Sequence, residues 1–225
     1  MVQLYITTKR RRLAVSAGIS FFAIAFLAFL GYGFFFSNFY FPDQPLQTTA
    51  IIQYKPWLLR WFIFFFLITL IFDLLVTWLL YHFFKTTSET IASLCAWSRL
   101  LYTAVFGIAF LPLLMALIET AKADADPGSV MLYLTSFDSM WSMSLIIFGL
   151  HLLILGWLTQ RSREVPKIWV VLTLLAGCLY CVHHSLNLLW FNYKYIKTFV
   201  EQILSLPMAL GELGLASWLI AKGGK

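Results

Sequence analysis

The stretch SLIIFGLHLLILGWLTQRSREVPK, residues 144–167, decides how the rest of the chain is read. It is an apolar run containing one histidine, His151, and it ends abruptly in Arg161, Arg163, Pro166 and Lys167. Such a run predicts a membrane-spanning helix followed by its exit. Lys and Arg accumulate on cytoplasmic loops, so the basic turn marks the cytoplasmic face. His151 then falls near mid-membrane, where a polar side chain is costly and tends to face the protein interior.

Composition carries this reading to the whole chain. Of 225 residues, 61% are hydrophobic and 12% charged, with mean hydropathy +0.83, whereas soluble domains carry roughly 25% charged residues. The chain is therefore read as an integral membrane protein whose first partner is the lipid bilayer. Its net charge of +6 does not point to nucleic acid, because that requires a basic patch on a soluble face and these charges separate apolar runs. Cys95, Cys178 and Cys181 all lie inside apolar segments and imply no disulfide framework.

Working outward, apolar segments over about residues 13–36, 57–84, 91–118, 138–160, 166–190 and 198–221 predict an all-α, polytopic six-helix transmembrane bundle, one domain covering residues 1–225. The first run holds 24 residues, Leu13 to Phe36, and ends in Phe34, Phe35 and Phe36. A signal-peptide core is about 7–15 residues and ends at small residues, so a retained helix is expected. Pro42 and Pro45 mark residues 37–56 as a polar loop, and Pro112 predicts a kink in the third helix. Pro127 and Gly128 mark a second loop, followed by a short interfacial piece over residues 130–137 and then helix four. Trp57 and Trp61 at one end of helix two, and Trp78 and Tyr81 at the other, suit the two membrane interfaces.

The basic residues set the direction. With the N-terminus inside, Lys9, Arg10, Arg11, Arg12, Lys85, Arg99, Arg161, Arg163, Lys167, Lys222 and Lys225 belong to the cytoplasmic side; Lys55, Arg60, Lys122, Lys194 and Lys197 belong to the other. Eleven of 16 favour cytoplasmic N- and C-termini.

Polar groups inside the apolar runs are the candidate functional residues. Asp73, His151 and Glu212 stand 12, 10 and 10 residues from Lys85, Arg161 and Lys222, or roughly 15–18 Å from the cytoplasmic helix ends. Helical spacing groups Thr69, Asp73 and Thr77 on one face, and Cys95, Arg99 and Thr103 on another. Thr173, Gly177, Tyr180, His184 and Asn187 form a third stripe, and Glu201, Ser205, Met208, Glu212 and Ala216 a fourth. On helix four, Ser142, Gly149 and Gly156 form a small-residue face that permits close packing, which predicts a central position for that helix. Arg99, roughly 12 Å deep, is expected to pair with Asp73. The candidate polar intramembrane site is thus Asp73, Arg99, His151, His184, Asn187 and Glu212. These groups either fix helix packing or line a cavity that binds a ligand or carries protons.

No P-loop, G-x-S-x-G or H-E-x-x-H motif occurs. His82, His151 and the pair His183–His184 fall at three depths, roughly 4.5, 15 and 24 Å, which argues against a shared three-ligand metal site. Cys178 and Cys181 form a C-x-x-C at lipid depth, where small core residues are expected rather than a redox pair with a lowered thiol pKa. No catalytic, metal-ligating or cofactor-binding residue is assigned, and any cofactor is unknown.

Several stretches carry a resemblance. FGLHLLILGWL (148–158), the basic turn with Ser162 and Pro166, the Ala176–Gly177 pair with Tyr180, and LPMALGELGLASWLIAKG (206–223) together resemble a bacterial family of six-helix membrane proteins, domain of unknown function 4386. Asp73 with the LLVTWLLYHFF that follows, and Ser98-Arg99-Leu100, resemble its second and third helices. Lys167 stands where the family's Ser-x-x-x-Pro-Arg turn usually has arginine. The resemblance implies a multi-pass protein of the bacterial inner membrane and brings no activity with it. The functional expectation is binding, with transport or sensing, of a small molecule or lipid; the alternative is a non-catalytic structural or assembly subunit. No strong dimer motif specifies an oligomeric state.

Overall fold

The computed structural model describes residues 2–225, with the side chains of residues 2–7, Phe191 and Lys194 excepted; the Lys194 of the charge tally thus lies outside the described side chains. Helices α1 (Val2–Ala28), α2 (Pro45–Tyr54), α3 (Trp57–Phe84), α4 (Glu89–Ile108), α5 (Phe110–Thr120), α6 (Pro127–Ser162), α7 (Lys167–Leu189) and α8 (Lys197–Ala221) follow one another, and no strand occurs among the described residues. α1 runs on through a π-helical segment, Phe29–Phe35, and a 3-10 turn, Phe36–Asn38. Counting α4 with α5, six apolar helical stretches among the described residues are long enough to cross a membrane.

Local chemistry explains the breaks. Pro112 has no N–H for the Ile108 carbonyl and its ring crowds that carbonyl, so α4 ends at Ile108, with Ala109 as its cap. There the Ala109 N–H is shared between the Val105 and Phe106 carbonyls at 3.1 Å each, which is the kink expected in the third span. α6 ends where Arg163 takes a left-handed conformation, φ 56°, and Pro166 begins α7 after the buried Val165.

Two expectations need correction. The loop over residues 37–56 contains α2. Pro45 occupies its first turn, where a missing N–H costs nothing, and Thr48, Thr49 and Ile52 are buried where α2 packs on α6. Nor is there a separate interfacial piece over residues 130–137, because helix four begins at Pro127. Asp126 caps it by accepting from the N–H groups of Gly128 (3.2 Å) and Ser129 (2.9 Å). The resulting 36 residues of α6 measure about 54 Å, well beyond a ~30 Å hydrocarbon core.

The spans form a closed ring in chain order: α1 packs on α3, α3 on α4, α4 on α6, α6 on α7, α7 on α8, and α8 on α1. Helix four is therefore one stave of the ring, not its central post. It is deeply buried all the same, since α2 and α5 also lean on it. Its small-residue face meets α7 as expected: a Cβ on either Gly149 or Gly177 would lie 2.8 Å from the other's carbonyl oxygen, so the two backbones touch only because both are glycine.

At the α1–α8 closure Gly18 lies against Ala216 and Ile220. Arg11 donates to the last carbonyls of α8, Leu219 at 3.0 Å and Ile220, groups that a helix end leaves unpaired, and to that of Gly223 just beyond the helix at 2.8 Å. Arg10 forms a two-pronged bond to Glu164 at 2.7 and 2.8 Å. The basic cluster of the sequence thus joins the start of α1, the α6–α7 turn and the end of α8 on one side of the bundle.

A Gly177→Val substitution is expected to cost about 1–3 kcal/mol by overpacking, read as a lower melting temperature in detergent. At the start of α6, hydrogen bonds from the Ser129 hydroxyl and N–H, and from the Gly128 N–H, hold the Asp126 carboxyl below the ordinary aspartate range. A carboxyl with a lowered folded-state pKa contributes stability above its unfolded value, about 4, and loses it as pH falls through the folded value. Asp126→Asn keeps a capping oxygen without the titration, so its melting temperature should fall less than wild type on acidification below about pH 4.

Candidate functional site

The polar stripes expected on α3 and α4 meet inside the ring. Arg99, 0% exposed, donates from Nη2 to Asp73 Oδ1 at 2.5 Å and from Nη1 to His151 Nε2 at 3.2 Å. Tyr102, one turn beyond Arg99, donates its hydroxyl to Asp73 Oδ2 at 3.2 Å. With Nε2 accepting from a guanidinium, the His151 proton sits on Nδ1, which faces the Cys95 carbonyl at 3.0 Å; this is the neutral imidazole that the partners dictate. Phe21 of α1 and Phe148 of α6 stand over the guanidinium, 5.1 and 5.3 Å to their ring centroids. One cation thereby ties α1, α3, α4 and α6 together.

Beside this chain the ring encloses a cavity of about 440 Å³, lined by α1 and its π-helical extension, α3, α4, α6, α7 and α8. Its wall is largely aromatic: Phe21, Phe29, Tyr32, Phe66, Tyr102, Phe106, Trp141, Phe148 and Tyr180. The rings interlock, with centroids 4.6 Å apart for Tyr32–Trp141, 4.9 Å for Tyr102–Phe148 and 5.2 Å for Phe148–Tyr180. Three carboxylates reach the cavity, Asp73, Glu201 and Glu212, and no lysine or arginine lines it among the described residues. The Tyr180 hydroxyl donates to Glu212 Oε1 at 2.9 Å. Phe29, Gly33, Ser205 and Ala209, all lining residues, are exposed, Phe29 by 67%. Packed closely at Gly18, α1 and α8 thus leave the cavity open between them farther along.

At the opposite end from the Arg11 clamp lies a second polar group. His183 Nδ1 is 2.6 Å from the Tyr193 hydroxyl, and its Nε2 is 3.5 Å from Glu201 Oε1. Lys197 bonds Asp138 at 2.7 Å and stands 3.9 Å from Glu201. His184, also on the cavity wall, is 3.3 Å from the Ser142 hydroxyl, to which Asn187 donates at 2.7 Å.

The structure thus separates the six candidate residues into two roles. Asp73, His184 and Glu212 line the cavity; Arg99 and His151 stand behind Asp73, and Asn187 holds Ser142. Tyr102 was legible, three residues past Arg99 on the same helix face, but was missed. The Asp138–Lys197 pair joins residues 59 apart in sequence with no local signal. Among the described residues no group of three or more His, Cys, Asp or Glu side chains is placed to hold a metal ion; Cys181 packs toward the Ile146 carbonyl and Cys178 is exposed.

Fold and interior together define a multi-pass helical membrane protein built as a closed ring around an acidic, aromatic cavity. Residues 16–223 match the profile of the family described as "Domain of unknown function (DUF4386)", and the chain belongs to that family. An uncharacterized protein of Archaeoglobus fulgidus is 28% identical over 156 residues, 69% of this chain and 80% of that protein. No solved structure matches the chain.

Arg99→Leu should destabilise the protein by about 3–5 kcal/mol, because it leaves the Asp73 carboxylate buried without its cation. The double variant Asp73→Leu/Arg99→Leu is expected to recover much of that loss, so melting temperatures of the three proteins in one detergent measure the coupling.

Proposed function

We propose that the protein binds an amphipathic small molecule or a lipid in the cavity between α1 and α8. The observation that carries this reading is the cavity itself: about 440 Å³ at membrane depth, walled by nine aromatic side chains and reached by three carboxylates. Ligand pockets are mostly apolar with a few placed polar groups. A core that served packing alone would be filled, since interiors close-pack with few voids larger than a water molecule. The opening along the α1–α8 seam suits a ligand that enters sideways from the bilayer, as in transport of, or sensing of, a membrane-soluble compound. We further assign the protein to a cytoplasmic membrane, the inner membrane in a bacterium, with both termini in the cytoplasm, on the strength of the ten basic residues that remain on that side once the buried Arg99 is set aside.

A second reading, a non-catalytic structural or assembly subunit, draws on the Asp73–Arg99–His151 chain. Those buried groups pair with one another, leaving Arg99 Nε without a hydrogen-bond partner, so they need no ligand to account for their charges.

Mass spectrometry of protein purified in mild detergent decides between the two. The expected result is a lipid or metabolite retained in stoichiometric amount by wild type and by Ser217→Trp, on the exposed face of α8. It should be lost from Ala209→Trp, whose indole fills the cavity. Absence of any retained compound from all three proteins favours the assembly reading.

A further inference from the structure

We propose that the ligand's polar end is a monovalent organic cation, an alkyl- or arylammonium group, seated against Glu212 within the aromatic wall. The inference rests on the cavity being a binding site and adds the chemistry of what it takes. It comes from following each charge that reaches the cavity to its partner. Asp73 is answered by Arg99 at 2.5 Å. Glu201 has Lys197 at 3.9 Å and His183 at 3.5 Å. Glu212 alone of the three has no ion pair among the described residues; its protein partner is the neutral hydroxyl of Tyr180.

A carboxylate that faces open space at membrane depth is costly unless a proton or a cation neutralises it. Arg99, the fully buried cation of the ring's interior, is already held by Asp73 and His151. The surroundings of Glu212 complete the case. Tyr180, whose hydroxyl bonds Glu212, is edge-on to Phe148, and Phe148 lies against Tyr102, so an aromatic cluster shares the cavity wall with the carboxylate. Aromatic faces attract ammonium groups through the ring quadrupole, the arrangement by which quaternary ammonium ligands are recognised. An anionic head group would meet three carboxylates and no lining lysine or arginine.

Three probes of one shape but different charge test this: phenylethylammonium, phenylethanol and hydrocinnamate, each titrated calorimetrically into the purified full-length protein in a non-ionic detergent. The expected result is one saturable site for phenylethylammonium, about tenfold or more tighter than for phenylethanol, and none for hydrocinnamate. Glu212→Gln should bring the ammonium down to the level of the alcohol and leave the alcohol unchanged, while Glu212→Asp, which keeps the charge, should retain the preference. Melting temperatures verify that both variants are folded. Equal binding of ammonium and alcohol, tighter binding of hydrocinnamate, or an ammonium preference that survives Glu212→Gln would overturn the proposal and leave the cavity a binding site. If no probe binds, the cationic ligand is likewise overturned, and retained compounds in the mass spectra then decide the cavity's role separately.

Discussion

The bundle depends on one buried guanidinium. Arg99 lies in a region that water does not reach, so its charge must be met inside the protein. Asp73 supplies the opposite charge, His151 an acceptor, and Phe21 and Phe148 two ring faces. The partners come from three other helices, Phe21 from α1, Asp73 from α3 and both His151 and Phe148 from α6, and satisfying the cation therefore fixes the relative rotation of α1, α3, α4 and α6. A lipid-facing surface places few demands on helix orientation, because lipid tails are as apolar as leucine. Buried polar groups are what make one rotation better than another.

With that side of the ring set, the remaining polar groups are directed to the other side of Asp73. Tyr102 belongs to both environments: it donates to Asp73 and forms part of the cavity wall. The cavity is thus a by-product of ring closure as well as a chemical feature. Six staves in chain order, held tightly by glycine contacts at Gly18 and at Gly149–Gly177, diverge where α1 passes into its π-helical turn and where Pro207 interrupts the hydrogen bonding of α8. π-helical turns are frequent at functional sites, and this one carries Phe29 and Tyr32 into the cavity wall.

Much of this was legible in the sequence, for identifiable reasons. A bilayer requires long apolar runs and penalises each charge within them, so span number and the Asp73–Arg99 pair follow from hydropathy and helical spacing alone. The α2 helix was hidden because prolines and polar residues mark loops and first helical turns alike, and only burial of Thr48, Thr49 and Ile52 separates the two. The depth of His151 suits helix packing and a cavity wall equally. Depth gives position along a helix but not direction around it, and the imidazole faces Arg99 instead of open space. The cavity itself left no trace in composition, since the same aromatic residues fill a core or wall a void depending on how two helices diverge. The far-end contacts of Asp138 with Lys197 depend on ring closure, which no local pattern encodes.

That closure also bears on how the molecule is made. Every ring contact but one joins spans that are neighbours in the chain and can form as the polypeptide emerges. The exception is α1 on α8, whose residues Arg11 and Ile220 are separated by 209 positions. Since chains are synthesised from the N-terminus, α1 must wait in the membrane for its last partner through the synthesis of all the others. Until then the interior has no far wall, and Arg11 has no carbonyls to cap. The seam that finally shuts the barrel is therefore the youngest contact in the molecule, and its half away from Arg11, where the two helices stand apart, is the part of the wall that assembly leaves open.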